Sequence, residues 1–389
     1  MEDAQIHTVP THMSAARLHS VGSPLEIDRI PVPEVRPGDV LVKVSYCGVV
    51  PNMRRVVGNF FGTQTSDRKV FPRLPAIFGL DAVGCVARLG ERVTGVEVGK
   101  RVYVNPARSC GSCRMCRAGL PLECPDFTYQ GYFGRSTEIM AAYPYGGFAQ
   151  YITAPATALV GLRDNVSPEG AARLGYLGTA FAAMKRIGVR PGQILLINGI
   201  SGMLGFCAAM IGLAMGASKI LGTGRNMALL QRVKALSPDR IHVIALAEDT
   251  IQDGASDPLL AFALSHSDDY GVDGVIDCLP PGAPAQLMNR AIHCLRRGGS
   301  AANVGAVTEP LGLDPFWIMT NRITLTGSAW FTTAEGEEIV GMVNSGLLNL
   351  SPLEHKIFPL VQINEALSSM ESNRSGGFAN YVIDLGHPG

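Results

Sequence analysis

A chain of 389 residues is too long for one ordinary hydrophobic core, so we expect two domains. Hydrophobic residues make up 47% of it and charged residues only 17%, which excludes an intrinsically disordered protein. The 33 basic and 33 acidic residues give a formal net charge of zero, which argues against nucleic acid or an anionic membrane surface as the partner.

The N-terminal stretch MEDAQIHTVPTHMSAARL has neither a basic start nor an apolar core. We therefore expect no secretory signal, a cytoplasmic protein and reduced thiols. Residues 194–217 are uncharged and long enough to cross a bilayer, but they contain five glycines and break at NGISG. A buried strand, a tight turn and a buried helix explain this stretch better than a membrane span does.

From residue 24 to about residue 160, short β-like runs alternate with Pro- and Gly-rich turns. The clearest runs are 39–50, 81–90 and 100–106. The first two partly alternate apolar residues with small or polar ones, as half-buried strands do. This region is predicted to be all β, a small barrel or sandwich.

Four cysteines within this region stand in the pattern C-x-x-C-x-x-C-x7-C, at Cys110, Cys113, Cys116 and Cys124. Zinc prefers four soft ligands at tetrahedral corners, and C-x-x-C steps let one turn supply two thiolates. Four thiolates leave no vacancy, so we predict one structural zinc ion per chain and no chemistry there. An iron–sulfur cluster is the competing interpretation of such spacing, and disulfides are disfavoured in a reducing compartment.

After about residue 165 the pattern changes to strands that alternate with helices. Apolar runs at 194–198, 219–224, 243–246, 274–279 and 300–305 are separated by stretches long enough for crossover helices. This alternation predicts a parallel sheet with helices on both faces. The tail from about residue 330 is predicted to hold a helix, a short strand near 356–360, another helix and a final strand at 378–385.

The first turn of this second region reads Gly199-Ile-Ser-Gly202-Met-Leu-Gly205, between a strand and a helix. Glycine suits a turn with positive φ, a backbone that approaches a pyrophosphate, and close packing of helix on strand. The helix N-terminus adds free N–H groups for phosphates. The predicted dinucleotide-binding residues of this turn are Gly199, Ser201, Gly202, Met203, Leu204 and Gly205. The alternative is a merely tight turn.

The end of the second strand bears on the identity of the cofactor. Sites for NAD place Asp or Glu about 20 residues after the glycines, where the acid binds the ribose hydroxyls. Here Gly224 stands in that place and Arg225 follows, and a guanidinium can pair with a 2′-phosphate. We therefore predict NADP(H), bound also by Thr223 and Asn226. Alternatively, Arg225 is a solvated residue at a helix start.

Together these segments resemble the medium-chain dehydrogenase/reductase superfamily, which includes the zinc alcohol dehydrogenases and the quinone reductases. The resemblance covers nearly the whole chain and rests on PGDVLVKVSYCGV, the cysteine cluster, GGFAQY, GTAF, PGQILLINGISG, DGVIDCL and ITLTGSAW. It implies an α/β fold with a GroES-like β-barrel catalytic domain at 1–177 and 329–389, which carries the structural zinc lobe at about 106–126. It also implies a Rossmann domain, a doubly wound parallel sheet that binds NADP, at 178–328, and a homodimer or homotetramer.

The resemblance further implies where a catalytic zinc ion would bind. Zinc-dependent members carry a Cys, a His and a second Cys at three positions of the barrel. The matching residues here are Val50, Leu80 and either Gly175 or Tyr176. Only Asp81 resembles the acid that follows the His.

The histidine count supports the same interpretation, because no histidine lies between His19 and His242. Cys47 is shifted by three residues from the position of the family's first Cys. Valine and leucine cannot bind a metal ion, so we expect no catalytic zinc.

Without a catalytic metal ion, direct oxidation of an alcohol lacks the group that lowers the pKa of its proton. Hydride transfer from NADPH still works when the acceptor is an enone, a quinone or another reactive carbonyl compound. We therefore predict a reductase whose candidate catalytic residues are Asn52, Asp81 and Tyr176. By the resemblance, Val304 and Gly305 hold the nicotinamide, and Trp330 forms one wall of the nicotinamide pocket.

The neighbours of these positions are apolar, which predicts a pocket for an apolar or aromatic carbonyl compound; they are Val50, Phe60, Phe61 and Leu80. For Asp81 the alternative is a structural acid paired with Arg54 or Arg55. Two other functions stay open: a zinc-type, NADP-dependent alcohol dehydrogenase with atypical ligands, and a non-catalytic nucleotide-binding protein on the same scaffold.

Overall fold

The computed structural model describes residues 9–60, 69–246 and 257–386. Two sheets dominate it: a seven-stranded sheet built from both ends of the sequence, and a six-stranded parallel sheet built from the middle. Within the described residues, no helix combines the length and the apolar character needed to span a bilayer.

The segment before residue 172 has more residues in strands than in helices, but it is not all β as predicted, because short helices lie between the strands. Its strands are β1 (His12–Arg17), β2 (Glu26–Pro31), β3 (Asp39–Gly48), β4 (Asp81–Leu89), β5 (Arg101–Val104), β6 (Ala107–Arg108), β7 (Thr128–Tyr129), β8 (Tyr151–Pro155) and β9 (Leu159–Gly161). Its helices are the short α1 (Met53–Asn59), α2 (Arg114–Arg117), α3 (Thr137–Ala142) and α4 (Pro168–Ala171). The predicted runs at 39–50, 81–90 and 100–106 correspond to β3, β4 and β5.

The middle of the chain forms the parallel sheet, in the strand order β12-β11-β10-β13-β14-β15. Its strands are β10 (Ile194–Asn198), β11 (Lys219–Gly224), β12 (Ile241–Ala245), β13 (Val272–Asp277), β14 (Leu295–Asn303) and β15 (Thr324–Gly327). The helices are α5 (Leu174–Arg186), α6 (Met203–Ala214), α7 (Met227–Lys234), α8 (Pro258–Ser265), α9 (Ala285–His293) and α10 (Pro315–Asn321). The five predicted strands correspond to β10 to β14, whereas β15 was not predicted.

The tail returns to the first sheet. It comprises α11 (Thr333–Asn344), β16 (Glu354–Pro359), α12 (Ile363–Glu371) and β17 (Ala379–Asp384). β17 pairs antiparallel with β3, so this sheet contains residues from both ends of the sequence. Nearby, the Leu25 backbone N–H donates to the Asn364 side chain at 3.0 Å, and that side chain donates back at 2.8 Å, across 339 positions.

The apolar stretch 194–217 is a strand, a turn and a helix, as predicted. The side chains of Leu195, Leu196 and Ile197 in β10 are fully buried, because helices cover both faces of a parallel sheet. Residues 205–212 of α6 are buried as well. A helix that is apolar on all sides is one surrounded by protein, and α6 contacts the parallel sheet, α5 and the tail segment at residues 376–378.

Helix α5 joins the two sheets through glycines that allow close contact. A Cβ on Gly48 of β3 would lie 2.2 Å from the carbonyl oxygen of Ala172, just before α5. A Cβ on Gly178 would lie 2.3 Å from the ring of Phe331. The domain boundary expected at 177/178 falls within α5, and that division stays a prediction.

Candidate functional site

The four clustered cysteines have the geometry of a closed tetrahedral metal site. The Sγ–Sγ distances are 4.0 Å for Cys110–Cys116, 3.6 Å for Cys113–Cys116, 3.8 Å for Cys113–Cys124 and 3.6 Å for Cys110–Cys124. A tetrahedron with zinc–sulfur bonds of about 2.3 Å has edges of about 3.8 Å. The donor set therefore fits a zinc ion with four thiolate ligands and no open position.

The backbone of this lobe is arranged around the sulfur atoms. The N–H groups of Cys113 and Cys116 point at the preceding ligands, at 3.3 Å from Cys110 Sγ and 3.5 Å from Cys113 Sγ. Gly111 and Gly119 have φ angles of +73° and +77°, values that glycine adopts readily where the chain reverses. Such N–H···S contacts stabilise thiolates and hold them in place.

In the predicted nucleotide loop between β10 and α6, the backbone segments lie as close together as a pyrophosphate site requires. Gly199 has a φ of +81°, and a Cβ on Gly205 would lie 2.2 Å from the Gly199 carbonyl oxygen. Gly202 is the N-cap of α6 and offers no side-chain hydrogen bond, so the helix amides are left for an anion. The loop residues Ser201, Met203 and Leu204 lie between these glycines, as in the sequence.

A buried polar chain supports this loop from below, and sequence reasoning missed most of it. The Gly199 N–H donates to Thr223 Oγ1 at 3.0 Å, and the Thr223 hydroxyl donates to Asn198 Oδ1 at 2.6 Å. Asn198 Nδ2 donates to Asp277 Oδ1 at 2.7 Å. The three side chains end the adjacent strands β11, β10 and β13. A polar residue at the end of an otherwise apolar strand was the available signal.

Asp277 also organises the backbone that is predicted to hold the nicotinamide. Its carbonyl oxygen accepts the N–H groups of Val304 at 3.0 Å and Gly305 at 2.8 Å. A Cβ on Gly305 would lie 2.5 Å from the Leu279 carbonyl oxygen, so only glycine fits. Burial raises the pKa of the Asp277 carboxyl to about 6.

The end of β11 carries the residues predicted to choose the cofactor. Gly224 is half-buried and Arg225 is exposed. The Asn226 side chain accepts hydrogen bonds from Ala228 N at 3.0 Å and Leu229 N at 3.2 Å, so it is the N-cap of α7. The role of these residues in cofactor binding stays a prediction.

Asp81 is enclosed rather than open to a substrate. Only 1% of the residue is exposed, and its Oδ1 accepts the Tyr103 hydroxyl at 2.8 Å and the Gly175 N–H at 3.0 Å. A Cβ on Gly175 would lie 2.3 Å from that oxygen, so this position requires glycine. The alternative partner Arg54 pairs with Glu371 instead.

The positions that match the family's other zinc ligands are apolar and buried. Val50 and Leu80 are 7% and 5% exposed and belong to the core of the first sheet. Among the described residues, two groups of three or more potential metal ligands occur, the four cysteines and the set of His19, Glu26 and Asp28. Neither group includes Asp81.

The polar candidates lie at different places. Asn52 is exposed at the N-cap of α1, where its side chain makes no capping bond. Tyr176 of α5 stacks under the guanidinium of Arg173 at 5.2 Å, and burial raises the pKa of its hydroxyl. Tyr143, which follows α3, donates its hydroxyl hydrogen bond to Asp39 at 2.9 Å. That residue begins β3, roughly 30 Å from the end of β3 that pairs with Asp81.

Aromatic rings form a wall beside these residues. Phe60 stacks on Phe71 at 4.6 Å, and the contacts continue through Phe133 to Tyr129, whose ring lies 5.2 Å from that of Trp330. The Trp330 indole N–H donates a hydrogen bond to Asn105 Oδ1 at 2.9 Å, which holds the ring in place. Phe61, also predicted to line a pocket, lies outside the described residues.

Comparison with known proteins identifies two dehydrogenase domains in the chain and several dehydrogenases as relatives. Residues 36–164 match the alcohol dehydrogenase GroES-like domain, and residues 204–345 match the zinc-binding dehydrogenase domain. The chain is 28% identical to an alcohol dehydrogenase of Geobacillus stearothermophilus, over 94% of this chain and 97% of that one. It is also 28% identical to a sorbitol dehydrogenase of Bacillus subtilis (strain 168), over 93% and 94%.

A solved structure from Sinorhizobium meliloti 1021, with NADP bound, superposes with a TM-score of 0.77 at 21% identity, over 96% of this chain and 100% of that chain. The fold class predicted from the sequence, α/β with a GroES-like barrel and a Rossmann domain, is confirmed.

Replacement of one cluster cysteine tests the metal site. We expect purified wild-type protein to carry zinc, and Cys113→Ser to lose it and unfold at a lower temperature, because metal binding contributes to folding. Elemental analysis and thermal unfolding measure both. Cys85→Ser, at a half-buried cysteine outside the cluster, is the control and should keep its zinc. Full zinc content in Cys113→Ser would contradict the four-thiolate site.

The enclosure of Asp81 predicts a pH dependence of stability. Burial raises its pKa from 3.8 to about 6, so between these values the folded protein holds a proton that the unfolded chain releases. The free energy of unfolding therefore falls as the pH rises from about 4 to about 6. Asp81→Asn, which never ionises, should reduce this slope in urea unfolding. It should not abolish the slope, because Asp277 contributes in the same direction.

The exposed Asp268 provides the control, and Asp268→Asn should keep the wild-type slope. An unchanged slope in Asp81→Asn would show that the carboxyl is not held in the protonated form.

Proposed function

The chain belongs to the medium-chain dehydrogenase/reductase superfamily, and we propose that within it this protein is an NADP(H)-dependent reductase that works without a catalytic zinc ion. The acceptor would be an activated C=C bond, as in an enone or a quinone, or a reactive carbonyl group. The cofactor class NAD(P) and the oxidoreductase activity follow from the family; the absence of the metal, the preference for NADP and the acceptor are the proposal.

The observation that carries this proposal is the chemistry of the three positions where a catalytic zinc ion would need ligands. Val50 and Leu80 have no donor atom, and the third position is either Gly175, which has no side chain, or Tyr176, whose buried hydroxyl is kept neutral by its raised pKa. The one acid nearby, Asp81, already accepts hydrogen bonds from Tyr103 and from Gly175. This donor set does not fit a zinc ion.

When bound, NADPH supplies a hydride to an electrophilic carbon, and negative charge then develops on the acceptor's oxygen. A hydrogen-bond donor beside that oxygen stabilises this charge, and a proton from that donor or from water completes the reduction. Tyr176 is a candidate because its hydroxyl is protonated at neutral pH, and burial raises its pKa further above the usual value. Asn52 offers a neutral N–H donor that is not used as a helix cap.

The choice of NADP(H) is supported by the end of β11. Gly224 and Arg225 stand where a carboxylate would select NAD by binding the ribose hydroxyls. The structural neighbour from Sinorhizobium meliloti 1021 contains NADP. An exposed guanidinium beside the nucleotide loop would pair with the 2′-phosphate.

The aromatic wall supports an apolar or aromatic carbonyl compound as the substrate. Flat apolar molecules pack well against rings such as Phe133 and Tyr129. We further propose that the protein is cytoplasmic and acts as a homodimer or homotetramer, without nucleic acid or membrane as a partner.

One observation favours a second candidate, a zinc-type alcohol dehydrogenase with atypical ligands. The relatives found by sequence are named for alcohol and for sorbitol. In that case a second metal ion would bind with ligands other than those at Val50, Leu80 and Gly175.

A combined metal and activity assay separates the two candidates. We expect one zinc ion per chain, and NADPH consumption with a panel of enones and quinones or of reactive aldehydes. The oxidation of NADPH is followed by the loss of its absorbance, with and without added zinc. Two zinc ions per chain, or activity only with added zinc, would favour the alcohol dehydrogenase. Tight NADPH binding with no turnover on either panel would favour a non-catalytic protein.

Replacement of Arg225 tests the cofactor preference. Loss of a charge-assisted hydrogen bond costs about 1.5–3 kcal/mol, so Arg225→Ala should weaken NADPH binding by about tenfold or more. NADH, which lacks the 2′-phosphate, should bind as before. The control Arg190→Ala lies at the other end of β10 and should bind both cofactors like wild type. Equal losses for NADPH and NADH would contradict the assigned contact.

A further inference from the structure

Arg173, which stands immediately before α5, is a buried cation that neither the sequence analysis nor the proposed function uses. Only 2% of it is exposed. One guanidinium nitrogen donates to the carbonyl oxygens of Gly377 at 2.9 Å and Ala379 at 2.7 Å. Asp81 interacts with this cation electrostatically, whereas the two backbone carbonyl groups accept its hydrogen bonds. Burial of a charge is costly, and its hydrogen bonds must offset that cost.

The segment that Arg173 holds rests directly on the nucleotide loop. The Gly377 N–H donates to the Ser201 carbonyl oxygen at 2.9 Å. A Cβ on Gly377 would lie 2.6 Å from the Gly202 carbonyl oxygen and 2.2 Å from Phe206 Cβ. The tail and the loop therefore meet backbone to backbone, and a shift of one displaces the other.

The same guanidinium contacts the elements on either side of this junction. Its plane lies over the ring of Tyr176, with 5.2 Å between guanidinium carbon and ring centroid. Cys207 of α6 also lies within its hydrogen-bonding range. Arg173 thus joins α5, the tail segment 377–379 and the helix that starts at the nucleotide loop.

We propose that Arg173 is a positioning residue for the cofactor: by binding Gly377 and Ala379 it fixes the surface on which the nucleotide loop rests. A lysine would keep the charge, but its single ammonium group lacks the planar fork that stacks on Tyr176 while reaching both carbonyl oxygens. The role rests on the nucleotide-binding part of the proposed function and is independent of the acceptor and of the catalytic metal.

The test compares two arginines of similar bonding. Arg240 also donates to backbone carbonyl groups, those of Leu213 at 3.1 Å and Ala217 at 2.6 Å, but it holds the opposite end of α6. Calorimetric titration with NADPH, without any acceptor, should show Arg173→Lys binding about tenfold more weakly than wild type, and Arg240→Lys within about twofold. In turnover, the KM for NADPH should rise in Arg173→Lys and stay near the wild-type value in Arg240→Lys.

A second variant changes the tail segment that contacts the nucleotide loop. Gly377→Ala should push the tail away from the loop and weaken NADPH binding in the same way. Gly341→Ala is its control, because a Cβ there meets no atom within 4 Å. In wild-type protein, NADPH should slow hydrogen exchange in the peptide that contains Gly377, but not in the one that contains Ala217. This last measurement decides the question even if both variants fail to fold.

Each outcome separates the two proposals. If wild type binds neither NADPH nor NADH, nucleotide binding is wrong and the role of Arg173 fails with it. If wild type binds a nucleotide, equal affinities for Arg173→Lys and Arg240→Lys, or unchanged exchange at Gly377, overturn only the role of Arg173.

Discussion

Asp81 accepts one hydrogen bond from Tyr103 of β5 and another from the first turn of α5, and the relation between the two sheets depends on this contact. The carboxylate lies at the end of β4, and α5 leads from the barrel into the parallel sheet. A carboxylate at a helix N-terminus is favoured by the free N–H groups and by the helix dipole. Gly175 lets the helix approach so closely that any side chain would collide with the acid.

The same closeness explains why the barrel has room for so little else at this point. Val50 and Leu80 fill the space with apolar side chains. Asp81 accepts hydrogen bonds from Tyr103 and from Gly175 of the helix, so it is engaged in structural contacts. A site of this composition can shape a pocket and exclude water, but it has few groups with which to move protons. Hydrogen bonding and proton transfer are then left to residues at the rim of the site. The reactivity comes from the cofactor and the acceptor.

The sequence predicted what depends on local pattern. The spacing of Cys110 to Cys124, the turn at Gly199 and the strands β10 to β14 were visible because each is defined by nearby residues. The chain from Thr223 through Asn198 to Asp277 was not, because its members are brought together by parallel pairing of three strands. Tyr103 and Arg173 were missed for the same reason: a buried partner far away in sequence decides whether a polar residue is structural or exposed.

Closure of the barrel sheet by β17 has a consequence for how the chain reaches its native state. Leu25 must find Asn364 across 339 positions, whereas the parallel sheet is assembled from neighbouring segments. Pairings that distant form slowly, because a long loop must close before any contact forms. During synthesis β3 emerges well before β17, so the part of its edge at residues 46–48 stays unpaired while the nucleotide-binding domain can already fold. An exposed edge of that kind is where aggregation would start, and a chaperone would have most to protect there.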